Sequence, residues 1–142
     1  MEVVIKVPNE VANEIMQKGV CYAKNKTSYS EYAYGFLKEI TGYNGLFFGI
    51  LNNDYIKKTE QMEEITSLSS SENKVMLMLD IPQSELYPHD YYSFTDMIFY
   101  HDEQEMGTVE IIKSELQNPQ LDNIVQCVFD RIEKEWIIKG GN

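Results

Sequence analysis

The seven residues from Val75 to Ile81 constrain the fold more than any other stretch of the chain. Side chains alternate between the two faces of a strand, so Val75, Leu77, Leu79 and Ile81 share one face and Met76 and Met78 the other. Apolar residues on both faces predict a strand buried in mid-sheet. Pro82 ends it, because proline cannot donate to a ladder.

Other segments supply partners and cover. Val3, Ile5 and Val7 alternate along a first strand that ends at Pro8. Asn9 then offers an N-cap to a short helix with Val11, Ile15 and Met16 on one stripe, and Gly19 is a natural C′ residue. A brief strand follows over Val20 to Ala23. Ser28 and Glu31 have capping-box spacing ahead of a helix carrying Tyr32, Phe36, Leu37 and Ile40, which Gly42 closes. Leu46 to Leu51 reads as a short buried strand, and so does the neighbourhood of Val109 and Ile111. Between them, residues 52–73 are polar with a serine patch at Ser67 to Ser71, an exposed loop or a weak helix around Thr59 to Ile65, and the expected mobile segment.

The period of Tyr91 to Tyr100 does not decide between helix and strand. Asn118-Pro119 should open a last helix, since Leu121, Ile124, Val125, Val128, Phe129, Ile132 and Trp136 form one helical stripe. These elements predict an α+β fold: a small mixed sheet, two or three packing helices and a long amphipathic C-terminal helix. At 142 residues the chain is one domain, residues 1–142.

Charge bears on function. Lys and Arg total 12 and Asp and Glu 23, a net −11. The half from residue 72 onward carries fourteen of the acids against five bases. Between Val75 and Glu110 there are eight carboxylates and no Lys or Arg. Such a field repels phosphate backbones and anionic membranes and steers toward basic partners or cations, although acidic surfaces also serve solubility alone. The single arginine, Arg131, argues against a guanidinium clamp for phosphate. Cys21 and Cys127 stand far apart among apolar neighbours, as small buried hydrophobes of a reducing compartment. The first residues do not form a signal peptide and no apolar run is long enough to span a membrane, which predicts a soluble, cytoplasmic protein.

No catalytic motif is present. There is no nucleophile elbow, Walker loop or Gly-rich dinucleotide turn. His89 and His101 are two isolated histidines with nearby acids, short of the three or four converging ligands a metal needs, and read as structural or surface residues. Asp102-Glu103-Gln104-Glu105 lacks the ladder of a calcium loop. No catalytic residue, metal or cofactor is assigned.

The segment Tyr87 to Tyr100 concentrates aromatics among Asp90, Asp96 and His89 with no base. Core packing accounts for much of it. A contact surface of aromatics ringed by carboxylates, suited to a cationic partner, is the functional reading. The candidate contact residues are Asp90, Tyr91, Tyr92 and Asp96.

Four segments carry a resemblance: Val11 to Gly19, Lys74 to Pro82, Tyr91 to Ile98 and Gln126 to Trp136. In their apolar and aromatic pattern they resemble a loose set of uncharacterised bacterial and phage domains. That resemblance implies a domain of low-GC bacteria or their phages and brings no activity with it.

The expected function is therefore a non-catalytic acidic interaction protein that binds a basic protein partner and does not bind nucleic acid directly. One form of it is a mobile-element inhibitor placing carboxylates in a nucleic-acid channel. The alternative is a small nucleotide- or sugar-handling enzyme or ligand-binding domain using Tyr87–Tyr100. Clustering of His89, Asp90 and Asp96 in one cleft would favour the enzyme, and dispersal over a convex face the binder.

Overall fold

A computed structural model describes residues 1–24, 31–52, 74–116 and 124–138. Within them the chain runs β1 (Glu2–Pro8), α1 (Asn9–Lys18), β2 (Val20–Tyr22), α2 (Glu31–Thr41), β3 (Phe47–Leu51), β4 (Lys74–Asp80), β5 (Tyr87–Asp90), α3 (Tyr91–Asp102), α4 (Met106–Leu116), β6 (Val125–Phe129) and β7 (Arg131–Glu133). The fold is α+β, as the sequence predicts.

Five strands form one sheet in the order β4-β1-β3-β6-β5, and β2 pairs with β7 in a separate ribbon. Every pairing is antiparallel, so the sheet is not mixed. The register follows the burial pattern. Along β1, Val3, Ile5 and Val7 turn to a face covered by Ile15 of α1, Cys21 of β2, Ile132 of β7 and Trp136. Val128 of β6 turns to the opposite face, where α2 contributes Leu37, α3 Phe94 and Met97, and α4 Val109 and Ile112. Each aliphatic side chain buried this way contributes about 1.5–3 kcal/mol.

Glycines mark the places where backbones crowd. Gly19 and Gly42 hold φ of 82° and 76° at the ends of α1 and α2, the left-handed closure expected there. A Cβ on Gly49 of β3 would collide with a Val3 methyl, and one on Gly45 would lie 2.5 Å from the Ala23 carbonyl.

Further expectations are corrected. The long C-terminal helix is absent: Val125–Phe129 and Arg131–Glu133 are strands, followed by a 3-10 turn at Lys134–Trp136. All five residues of β6 are buried, so its apolar residues serve two faces of a sheet, not one stripe of a helix. The Val75 strand lies at an edge of the sheet, not its middle. Its outer side is met at one end, where Ile137 bridges Leu79 and the Ile138 N–H donates to the Met78 carbonyl (2.9 Å). Further along Met76 is 46% exposed. Val109 and Ile111 belong to α4, one buried and the other exposed, as helical geometry requires and a shared strand face does not. The Ser28 cap, residues 53–73 of the segment expected at 52–73, and the Asn118-Pro119 start lie outside the described residues.

Asn9 opens α1 without capping it, because the cap position falls on Pro8 at the end of β1 and no side chain bonds there. Arg131 is committed to the fold. Its guanidinium meets Glu85, Asp130 and Glu133 at 3.1 Å each and lies 5.1 Å from the Trp136 ring centre. It ties the β6–β7 turn to the Gln83–Glu85 turn that follows β4. Arg131→Gln leaves three carboxylates facing one another, but all are partly solvated, which limits the expected loss of stability to about 1–2 kcal/mol. Urea unfolding should register that loss at low salt, and it should shrink at high salt as repulsion is screened.

Candidate functional site

The junction of β5 and α3 carries all four candidate residues. Asp90 ends the strand and caps the helix: the Ser93 N–H donates to its Oδ1 at 2.8 Å. The next amide, Tyr91 N–H, donates to the Ile124 carbonyl (3.0 Å), which fixes the helix start against the strand beside it. Tyr91 is half-buried, and its ring stands edge-on to Tyr92 with centres 5.7 Å apart.

From there α3 sorts its residues by angle. Phe94 and Met97 enter the core. Tyr92, Thr95, Asp96, Phe99 and Glu103 are exposed. At 3.6 residues per turn Phe99 and Glu103 lie within about 20° of Tyr92, and Asp96 within about 40°. Tyr92 is 46% exposed and Phe99 58%, so the outward face presents two large rings with a carboxylate between them along the axis.

The neighbouring helix carries further exposed carboxylates. A turn with Gln104 in the left-handed region (φ 63°) joins α3 to α4. Glu103, Glu105, Glu110 and Glu115 are exposed around and along it, and Ile111 among them is exposed as well. The first base after the empty span, Lys113, does not serve this face freely. Its ammonium pairs with Glu110 (3.4 Å) and lies over the rings of Tyr32 and Phe36 at 5.5 and 5.3 Å. His101 stacks on the same Tyr32 ring with centres 3.6 Å apart. These contacts clamp α2, α3 and α4 together.

His89 lies on the other side of the same junction, wholly buried. It stands opposite Gln126 in the β5–β6 register, and the two side chains meet at 2.7 Å. The amide oxygen accepts, so Nε2–H donates and Nδ1 keeps its lone pair, with no hydrogen-bond partner among the described residues. Burial holds the imidazole down at about 4, against opposing contributions from Gln126, the Tyr87 backbone and Asp90. The ring is therefore neutral at physiological pH, wedged edge-on against Phe94 with centres 5.0 Å apart. Burial likewise pushes both thiols, Cys21 and Cys127, up to about 12, so neither supplies a thiolate nucleophile near neutral pH.

The structure thus brings Tyr92 and Asp96 onto one exposed face and gives Asp90 a capping role beneath it. His89 faces the core and Asp96 faces solvent, so these groups do not converge in a cleft. Phe99, not among the candidate residues, lies on the same exposed face. Its seven-residue spacing from Tyr92 was the signal that could have found it once the segment is taken as a helix. Among the described residues no group of three or more His, Cys, Asp or Glu is placed to hold a metal ion, and no helix is long and apolar enough to cross a membrane. Comparison of the chain with protein-family models, curated proteins and solved structures finds no match.

Proposed function

We propose that this protein is a non-catalytic binder of a basic protein partner and that the outward face of α3, continued by the acidic surface of α4, is its contact surface. The observation that carries the reading is the placement of Tyr92, Asp96, Phe99 and Glu103 on one exposed stripe, within a span that has no Lys or Arg between Val75 and Glu110. Exposed aromatics supply contact area at low entropic cost, and the carboxylates supply attraction and fast encounter with a cationic surface. A net charge of −11 disfavours nucleic acid and anionic membrane as direct ligands. Two buried free thiols fit a reducing, cytoplasmic setting. A finer form of the same reading is an inhibitor that places these carboxylates in the nucleic-acid channel of its target.

The test is capture from a bacterial lysate by the immobilised protein, eluted in steps of rising salt. A basic protein should be retained at low salt and released as salt rises. The double variant Asp96→Asn, Glu103→Gln should release it earlier, while Glu10→Gln on α1 should not. Asp90 is unsuitable for this purpose, because losing its cap costs about 1 kcal/mol of helix stability. Retention that ignores both salt and the double variant would refute the reading.

A further inference from the structure

We propose that Asp96, flanked by Tyr92 and Phe99, is a socket for an arginine side chain of the partner. This rests on the reading of α3 as the contact face and narrows the chemistry that the face selects. Along the helix axis Asp96 stands about 6 Å beyond Tyr92 and about 4.5 Å before Phe99. Asp96 therefore lies between two aromatic residues along the axis, each about half exposed and edge-on to its chain neighbour, Tyr91 or Tyr100.

A guanidinium suits that arrangement better than an ammonium does. It is planar, it donates two parallel N–H groups to one carboxylate, and its face stacks on aromatic rings. A lysine offers a strongly hydrated point charge that gains from Asp96 but little from the flanking faces. Glu103, further along the stripe, extends the attraction to a second cation on the same segment.

The occupant is another protein and not a second copy of this one. The chain has one arginine, and its guanidinium is already held by Glu85, Asp130 and Glu133 beside Trp136. Two copies at −11 each would also repel one another at the face in question.

The experiment compares an arginine-rich peptide with its lysine counterpart of equal length and charge, by titration calorimetry at low salt against the intact protein. The arginine peptide should bind about tenfold more tightly. Asp96→Asn should weaken the arginine peptide by about tenfold and the lysine peptide much less. Tyr92→Ala and Phe99→Ala should each cost the arginine peptide about threefold. Glu115→Gln, an exposed carboxylate on α4, should change either peptide by no more than about twofold. All four side chains are exposed, so the variants should keep wild-type unfolding curves. If the two peptides bind equally and Asp96→Asn does no more than Glu115→Gln, the socket is wrong and the general acidic surface stands. If neither peptide binds at low salt, both readings fall.

Discussion

Phe94→Ala is expected to lower the unfolding free energy by about 3–5 kcal/mol, a large share of the roughly 5–15 kcal/mol available to a domain of this size. Phe94 is among the largest fully buried side chains. It is also the contact through which α3 rests on the sheet, its ring meeting His89 of β5 and its neighbours in the core including Met97 and Val128. Truncation leaves a cavity between helix and sheet that neither can close without moving the other. The comparison that gives the result meaning lies on the same helix. Phe99→Ala removes an identical ring from the solvent side and should change stability by no more than about 0.5 kcal/mol. Urea unfolding of both variants should show a shifted midpoint for Phe94→Ala, an unchanged one for Phe99→Ala, and a common slope. Equal losses would mean that α3 is not seated as described.

The second large effect is a dependence on pH. In the unfolded chain His89 titrates near 6.5, whereas in the fold it does so at about 4. As pH falls through this interval the unfolded state takes up a proton that the native state refuses. Stability present above the unfolded value is therefore lost on acidification, by about 2–3 kcal/mol near pH 4.5. The direction follows from burial: imidazolium would need a hydration shell that the core excludes, and the contacts with Gln126, the Tyr87 backbone and Asp90 offset that cost only in part. His89→Gln keeps a polar partner for Gln126 and removes the titration. Denaturation at about pH 7 and about pH 4.5 should show the wild type losing about 2–3 kcal/mol more than the variant. Equal losses would mean that His89 is solvated in the native state.

Several elements of this fold were legible because local chemistry and tertiary demand agree. β1 alternates cleanly because Val3, Ile5 and Val7 face the sheet side covered by α1 and the β2–β7 ribbon, and Gly19 and Gly42 close helices because they adopt positive φ. One group of departures has a common physical root: apolar residues on two sides of an element. Val125 and Val128 share a helical stripe, but they also alternate across β6, which is covered on both faces, and the run is cut at Asp130. Periodicity alone does not separate these cases. On α3 the same ambiguity arises because Tyr92 and Phe99 are aromatic yet point outward. The placement of β4 at an edge was not readable at all. Which strand lies at an edge is set by pairings with β1 and with Ile137, remote in sequence, and not by the strand's own composition. Among the candidate residues, Asp90 stands out in sequence by its charge, whereas in the fold its carboxylate accepts from the Ser93 backbone N–H and caps α3.

The strand order has a consequence for how the chain comes together. β6, the last of the five sheet strands in sequence, lies between β3 and β5, both of which precede it. It pairs Phe129 with Phe47 and Val128 with Tyr87, so it joins two blocks that have no ladder to each other without it. During synthesis both blocks wait with open edges until β6 has emerged. Sheets assembled from contacts this remote form slowly and are vulnerable while incomplete. The acidic span that includes α3 and α4 keeps like charges on the waiting intermediates, and their mutual repulsion opposes association before the joining strand arrives.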